Sequence, residues 1–577
     1  MKYKKLAPGL LAALEDLQTE GRPALIMRTR TLGVASVTHT QKRPGVIVFV
    51  HCDKDAKVEG LASEVRLNQT RGPVRTAYLP LEKVGDLSED PKVKRIVASR
   101  KLKPSMDVAS PRVGVPKFVK KSGLTGEGVI VGIIDSGIDP NHTDFRGRIL
   151  RIWDQNVSGP GVAEGGYGLE LSGVQLTASR DRDGHGTHVA GIAAGAGSKF
   201  PGVAPAAQLV IVNTSFQDAH IADGIRYIFR IAKELSRPAV VNLSLGGHSD
   251  PHDGSDSLAQ IINEESGPGR IVCCAAGNEG DDNIHSRVQL GAPAIRAVRF
   301  KIPADTVGIA ELNGWYPGKG KLEISVTAPN GFSTPFQPVI ATGKFLKKFE
   351  LRGARVTIET PDKDPDNGDH HFSVSIRGAM ATKRAPGGKW ALRVKNTAAL
   401  SGFLDVWALD DQDSPQVIFS DRNVSDSMKI GSPGTAGSAI TVGAFVTRNA
   451  WKDVDGKSQE VEMTLDDIAS FSSEGPARDN AKKPDVTAPG AMIASGLSDD
   501  SAAEREDIID RTHVMGAGTS MATPFITGVI ALLLERKPTL DPAAAKTALR
   551  KVSKIPGKAA GSFDPKWGFG LLDTSKL

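Results

Sequence analysis

Four continuously apolar runs, VIVGII (129–134), LVIVN (209–213), AVVNLSL (239–245) and RIVCCAA (270–276), recur between stretches of helical periodicity. A strand without apolar/polar alternation must bury both faces, so these runs cannot build a sheet with one wet side. They call for an α/β fold: a parallel sheet covered on both faces by helices, here from His185, near 220–235 and near 256–265. That rhythm stops between about 290 and 420. There AVRFKIP, KLEISVTAP, ARVTIET, HHFSVSIRG, KWALRVKN and GFLDVWALD alternate apolar and polar residues between turn formers. They read as a β-sandwich of roughly eight strands. The α/β rhythm resumes at SAITVGAF (438–445) and closes in a long apolar helix over 520–535.

Ahead of the first apolar run lies a smaller βαβαβ pattern. Strand GVIVFVH (45–51) precedes a helix over 55–67, with Val58, Leu61, Ala62 and Val65 on one face. A strand (74–80), a short helix (81–88), a strand (92–99) and a linker from Pro104 to Pro116 follow. A chain of 577 residues needs several such units. The expected division is 1–110, an N-terminal helix and small α/β unit; 111–289, the first part of the large α/β unit; 290–425, the inserted sandwich; and 426–577, its second part.

Composition narrows the function classes. A net charge of +6 is too mild to argue for nucleic acid. The densest basic stretch, KVKRIVASRKLK (Lys92–Lys103), interleaves with apolar residues and reads as a solvated strand and linker. Cys52, Cys273 and Cys274 offer no disulfide framework, because sequence neighbours bridge poorly. Buried reduced thiols fit a cytoplasmic location. The uncharged run Leu6–Leu14 is short, contains Pro8 and Gly9 and ends in Glu15 and Asp16. It reads as a helix with Leu10, Leu14 and Leu17 on one face rather than an export signal, although secretion stays open. No stretch approaches the ~20 apolar residues of a membrane span.

Four segments carry chemistry. Strand VIVGII runs into Asp135, at the carboxyl end where α/β sheets place their sites; alone, Asp135 reads better as a turn or capping residue. His185 lies between Gly184 and Gly186 in DGHGTHVAGIAAG (183–195), and glycines there let another backbone approach. His188 reads as a packing or capping residue, because an HxxH pair without a third ligand makes a poor metal site. Ser520 opens an apolar helix, with Pro524 expected in its first turn. It is either an N-cap or a nucleophile at the positive helix end. Asn278, in AAGNEG (275–280) just past a strand, is either a turn residue or an amide donor to an oxyanion.

In the order Asp, His, Asn, Ser, these segments resemble the subtilisin-like serine proteases. The matching strings are IIDSGID, DGHGTHVAGI, SLGG (Ser244–Gly247), AAGNEG, SFSSEGP (470–476), KPDVTAPG (483–490) and GTSMATP. The resemblance implies a serine endopeptidase, with Asp135, His185 and Ser520 as triad and Asn278 in the oxyanion hole. It also implies that Ser244, Leu245 and Gly246 bind substrate as an added strand, and that Ala275, Ala276 and Gly277 wall a roomy specificity pocket. The small N-terminal unit resembles a ferredoxin-like protease propeptide, which would make it an intramolecular inhibitor, with processing between about Lys103 and Ser110. The inserted sandwich, expected to be jelly-roll-like, could restrict substrate access, recruit a partner or brace the fold, with bracing as the default reading. No cofactor is called for; polypeptides are the expected substrates, with no nucleic-acid or membrane partner. The loop 195–205 lacks the carboxylates by which relatives bind calcium, and Asp144 alone makes no site. A catalytically silent scaffold protein, or a transferase or cyclase using the same acyl-enzyme, are the rival readings. The filled catalytic positions speak against the first, and the lack of a recognisable water-excluding lid against the second.

Overall fold

The computed structural model describes the chain except residues 21–31, 33, 36–43, 55, 57–64, 69–71, 105–114, 179, 305–307, 381–383, 400 and 410–416. Most of the helix expected over 55–67, most of the linker and most of the expected processing segment therefore lie outside the described residues. In the N-terminal unit, helix α1 (Leu10–Glu20) packs on an antiparallel sheet. Its central strand β1 (Gly45–Cys52) pairs with β2 (Val74–Pro80) and β3 (Val93–Ala98), and a two-residue strand β4 (Lys103–Pro104) follows. Side chains alternate along a strand, so β1 has two apolar faces. Val46, Val48 and Val50 meet Leu10 and Leu14, whereas Ile47 and Phe49 join the core of the large α/β unit.

The large unit follows as β5 (Ile130–Asp135), β6 (Ile149–Asp154), α2 (His185–Ala194), β7 (Gln208–Asn213), α3 (Asp218–Glu234), β8 (Ala239–Leu243), β9 (Leu245–Gly246), α4 (Ser257–Glu265) and β10 (Arg270–Ala275). The run expected as one strand over 239–245 is thus two, broken at Ser244. The chain then leaves this unit for two antiparallel sheets of six and four strands with a shared core. Among the described residues these make ten strands where roughly eight were expected, because short pairing segments such as Ile418–Phe419 carry too little alternation to be seen in the sequence. The six-stranded sheet includes β11 (His285–Leu290), β12 (Ala310–Tyr316) and β13 (Gly402–Leu409), with β13 between the other two. Strand β11 thus pairs within the insertion's sheet although it starts a few residues before the expected change of periodicity.

The chain returns through β14 (Ile440–Val446), β15 (Val486–Ala491), α5 (Thr519–Arg536) and α6 (Pro542–Val552). The main sheet runs β15–β14–β10–β8–β5–β7–β6, with every one of these pairs parallel. Short antiparallel strands close both edges. Alternate side chains enter two cores. Val131 and Ile133 face α2 and α5, while Ile130 and Ile134 face α3 and α4. Among the described residues no helix is long and apolar enough to cross a membrane. The three cysteines are free and buried, and burial pushes the Cys273 thiol up to about 12.

Candidate active site

The carboxyl ends of the parallel strands converge on Asp135, which is fully buried at the end of β5. Its Oδ1 accepts the Ser136 N–H at 2.8 Å and faces His185 Nδ1 at 2.6 Å. With a carboxylate at that distance, His185 Nδ1 carries the proton and Nε2 is left as the basic nitrogen. The two glycines beside the histidine have separate steric causes. A Cβ on Gly186 would lie 2.1 Å from the Gly137 carbonyl oxygen, and Gly184 has φ of 92°. Close approach of β5's exit loop to the start of α2 requires Gly186, and the left-handed backbone just ahead of α2 requires Gly184.

A further carboxylate, absent from the sequence reading, fixes this arrangement. Asp181 is buried and accepts from the N–H groups of Gly184 (2.9 Å) and Thr187 (2.8 Å), the Thr187 hydroxyl (2.6 Å) and the Ser136 hydroxyl (2.9 Å). It caps the amino end of α2 and ties it to the residue after Asp135. Its signal was an Asp four positions before His185, indistinguishable from a loop carboxylate without the fold. His188 lies one helical turn beyond His185. Its Nε2 is 3.3 Å from the Val514 carbonyl oxygen, and burial holds its pKa well below the ordinary value, so it packs as a neutral ring.

Ser520 sits at the second position of α5 and is fully buried. Its Oγ donates to the Ser244 carbonyl at 2.8 Å, and Ser244 Oγ donates in return to the Ser520 carbonyl. This second bond has a cause in the sequence. Pro524 is the sixth residue of the helix, not a member of its first turn as expected. It lacks the N–H that would otherwise bond the carbonyl four residues back, which is that of Ser520. Ser244 supplies the missing donor. Beside it, Asn278 Oδ1 accepts from the Thr519 N–H (2.9 Å) and hydroxyl (3.0 Å). That engagement orients the side-chain amide, directing its NH2 away from Thr519.

Leu245 and Gly246 pair antiparallel with Pro104 and Lys103, and the Leu102 N–H bonds the Phe216 carbonyl at 2.9 Å. Lys101 bridges Gln217 on that same side. Residues 101–104 of the N-terminal unit thus run as a strand between Gln217 and β9. Leu102 is buried, with Cδ2 2.9 Å from where a Gly247 Cβ would stand. Ala275 and Ala276 are buried at the end of β10. Gly277, expected to leave a pocket roomy, has φ of 109°, and the space beside its Cα is filled by Glu279 Oε2 and Ser473 Oγ, 2.7 and 2.8 Å from a built Cβ. Its smallness admits the Glu279 side chain, which accepts the Asn278 N–H at 2.8 Å. Asp144 lies between His142 (3.9 Å) and His513 (3.8 Å). Among the described residues no group of three or more His, Cys, Asp or Glu converges to hold a metal ion.

The sequence matches the profile of the subtilase family of peptidases over residues 126–306 and 372–570. The serine protease AprX of Bacillus subtilis is 23% identical over 542 residues, covering 89% of this chain and 84% of that protein. The major intracellular serine protease of the same organism is 31% identical over 300 residues, covering 50% and 84%. Among solved structures, the Clostridium perfringens CspB protease superposes with a TM-score of 0.66 at 24% identity, over 81% of this chain and 97% of that one. This last likeness is one of fold.

Proposed function

The chain belongs to the subtilase family and is a serine endopeptidase, and we propose that Asp135, His185 and Ser520 are its triad and Asn278 its oxyanion-hole side chain. The observation that carries this assignment is the 2.6 Å Asp135–His185 pair at the carboxyl end of the sheet, with Ser520 at the amino end of α5 and Asn278 fixed against Thr519. His185 Nε2 takes the proton of Ser520 Oγ as Oγ bonds to the scissile carbonyl carbon. Asp135 holds the Nδ1 proton in place and stabilises the imidazolium. The Asn278 amide and the Ser520 N–H, at the positive end of α5, stabilise the oxyanion. The C–N bond then breaks, His185 returns its proton to the departing amine, and water hydrolyses the acyl-serine by the same steps in reverse.

The N-terminal unit, residues 1–110, acts in this reading as an intramolecular inhibitor. Support comes from residues 101–104, which occupy the cleft beside β9 as an added strand, a mode in which main-chain hydrogen bonds give affinity. Ser244, Leu245 and Gly246 would then receive a substrate backbone in the same way, beside Ala275, Ala276 and Gly277. For the remaining units we keep the divisions near 111–289, 290–425 and 426–577, except that β11 (His285–Leu290) pairs within the sandwich and goes with it. A cytoplasmic location is supported by three buried free thiols, and cell fractionation tests it.

Intact-mass spectrometry of the wild type beside Ser520→Ala tests the triad and the inhibitor together. The wild type is expected to shed an N-terminal fragment ending between Lys103 and Ser110, and Ser520→Ala to keep all 577 residues. If both stay whole, labelling by a serine-reactive fluorophosphonate decides. A folded wild type that takes no more label than Ser520→Ala sinks the assignment. Product masses separate hydrolysis, which adds one water, from cyclisation, which adds none.

A further inference from the structure

His248 immediately follows the SLGG stretch and lies in a buried line of rings and carboxylates reaching from the oxyanion side of the cleft into the inserted sandwich. Its Nε2 is 3.3 Å from Glu279 Oε2, the oxygen that also accepts the Asn278 N–H at 2.8 Å and the Ser473 hydroxyl at 3.0 Å. Its Nδ1 is 3.0 Å from His252 Nε2. His252 Nδ1 in turn faces the Asp250 carbonyl at 3.0 Å. His252 then stacks on Trp407 of β13 at 3.9 Å, and His285 of β11 stacks on Trp407 at 4.6 Å while facing Asp405 at 3.0 Å.

Proton positions follow from which partners can donate. A carbonyl only accepts, so His252 Nδ1 carries a proton. Burial, reinforced by the neighbouring His248 and His285, keeps His252 neutral, with its pKa well below the ordinary value. Its Nε2 is therefore an acceptor, and His248 Nδ1 must donate. On the other side, burial would raise the Glu279 pKa. The His248 charge, the Ser473 hydroxyl and the Asn278 N–H outweigh burial and hold it at about 2. An ionised carboxylate only accepts, so His248 Nε2 carries a proton as well. Each ring nitrogen of His248 thus faces an acceptor, Glu279 Oε2 on one side and His252 Nε2 on the other.

Resting on the peptidase reading above, we propose that His248 is a positioning residue for the reaction, whose cation neutralises Glu279 beside Asn278, and that the inserted sandwich holds it there through Trp407 and Asn313. A bare carboxylate next to the oxyanion donor would oppose the negative charge that develops on the substrate oxygen; pairing it with His248 removes that opposition. The insertion's part is direct. Asn313 Nδ2 of β12 donates to the carbonyls of His248 (2.9 Å) and Asp250 (2.8 Å), and Trp315 Nε1 fixes Asn313 Oδ1 at 2.8 Å. The charged and titratable groups around the line are Glu279 after β10, Asp250 and His252 on the loop of His248 itself, and Asp256 at the start of α4. His285 and Asp405 belong to the insertion. Arg478, whose N–H bonds the His252 carbonyl, completes the set.

The test is a double-mutant cycle on the full chain, read by steady-state hydrolysis of an uncharged peptide substrate. His248→Gln is expected to lower kcat about 2- to 30-fold with KM nearly unchanged. Glu279→Gln in the same chain should restore much of the lost kcat, because it removes the charge that His248 balances. Trp407→Phe should retain more activity than Trp407→Leu. An independent readout is the nitrogen-15 histidine spectrum, assigned with His248→Gln, in which both His248 ring nitrogens are protonated at neutral pH. A neutral His248, or equal kcat losses in His248→Gln and the double variant, overturns the proposal. Hydrolysis by Ser520→Ala at the wild-type rate would instead overturn the triad assignment and leave the histidine spectrum as found.

Discussion

Gly186 shows how little freedom one position of the site retains. Its neighbour in space is a backbone carbonyl 2.1 Å from a built Cβ, and backbone cannot step aside as a flexible side chain can. Gly186→Ala is expected to destabilise the chain by about 1–3 kcal/mol and to displace His185 from Asp135. Thermal unfolding and hydrolysis should fall together; an alanine variant of wild-type stability and activity would show that the approach is not rigid. Glu279 yields a second prediction at this scale. Its pKa is about 2 folded and about 4.3 unfolded, so its stabilisation is complete above about 4.3 and lost as pH falls towards 2. The melting-temperature gap between wild type and Glu279→Gln should therefore shrink across that window, and a constant gap would refute the ionised pair. The residues proposed as the triad were legible because each sits in a distinctive string. His248 and Glu279 were not, because what matters in them is a contact made across the fold.

Helix α5 and strand β9 are locked by complementary defects. Pro524 leaves the Ser520 carbonyl without its helical donor, and the break between β8 and β9 brings the Ser244 hydroxyl to it. Ser244→Ala should remove that replacement donor, costing about 1–3 kcal/mol in denaturant unfolding. Pro524→Ala in the same chain should recover part of the loss by restoring the N–H. If the double variant is no more stable than Ser244→Ala, the Pro524 explanation is wrong. The strands of the main sheet were readable because burial on both faces forces continuous apolar runs such as VIVGII. The turn in which Pro524 falls was misjudged, since a proline tolerated early in a helix looks the same in sequence as one whose lost bond is replaced from another element.

Across the whole molecule the insertion grips both other units. It reaches the N-terminal unit through Glu359, which accepts the Gly9 N–H at 3.0 Å, through Lys348 and Asp16 at 2.6 Å, and through Arg95 with Asp364. It reaches the large unit through Asn313 and through Arg478 with Asp369 at 2.6 Å. Bracing was the expected role, but the partners could not be read from sequence, because charges hundreds of residues apart carry no local pattern. Glu359→Ala combined with Lys348→Ala should speed limited proteolysis of the N-terminal unit by about tenfold or more, with the large unit unaffected. An unchanged digestion rate would mean that the grip lies elsewhere. The position of the insertion also orders events in time. Strands β10 and β14 are neighbours in the sheet, with Cys273 opposite Ile440, yet the entire sandwich is synthesised between them. A ribosome therefore releases residues 101–104 long before it makes Ser520, and α5, the helix of the proposed nucleophile, joins after the sandwich has been made. On that schedule the proposed triad is complete only when residues 101–104 are already there to pair with β9.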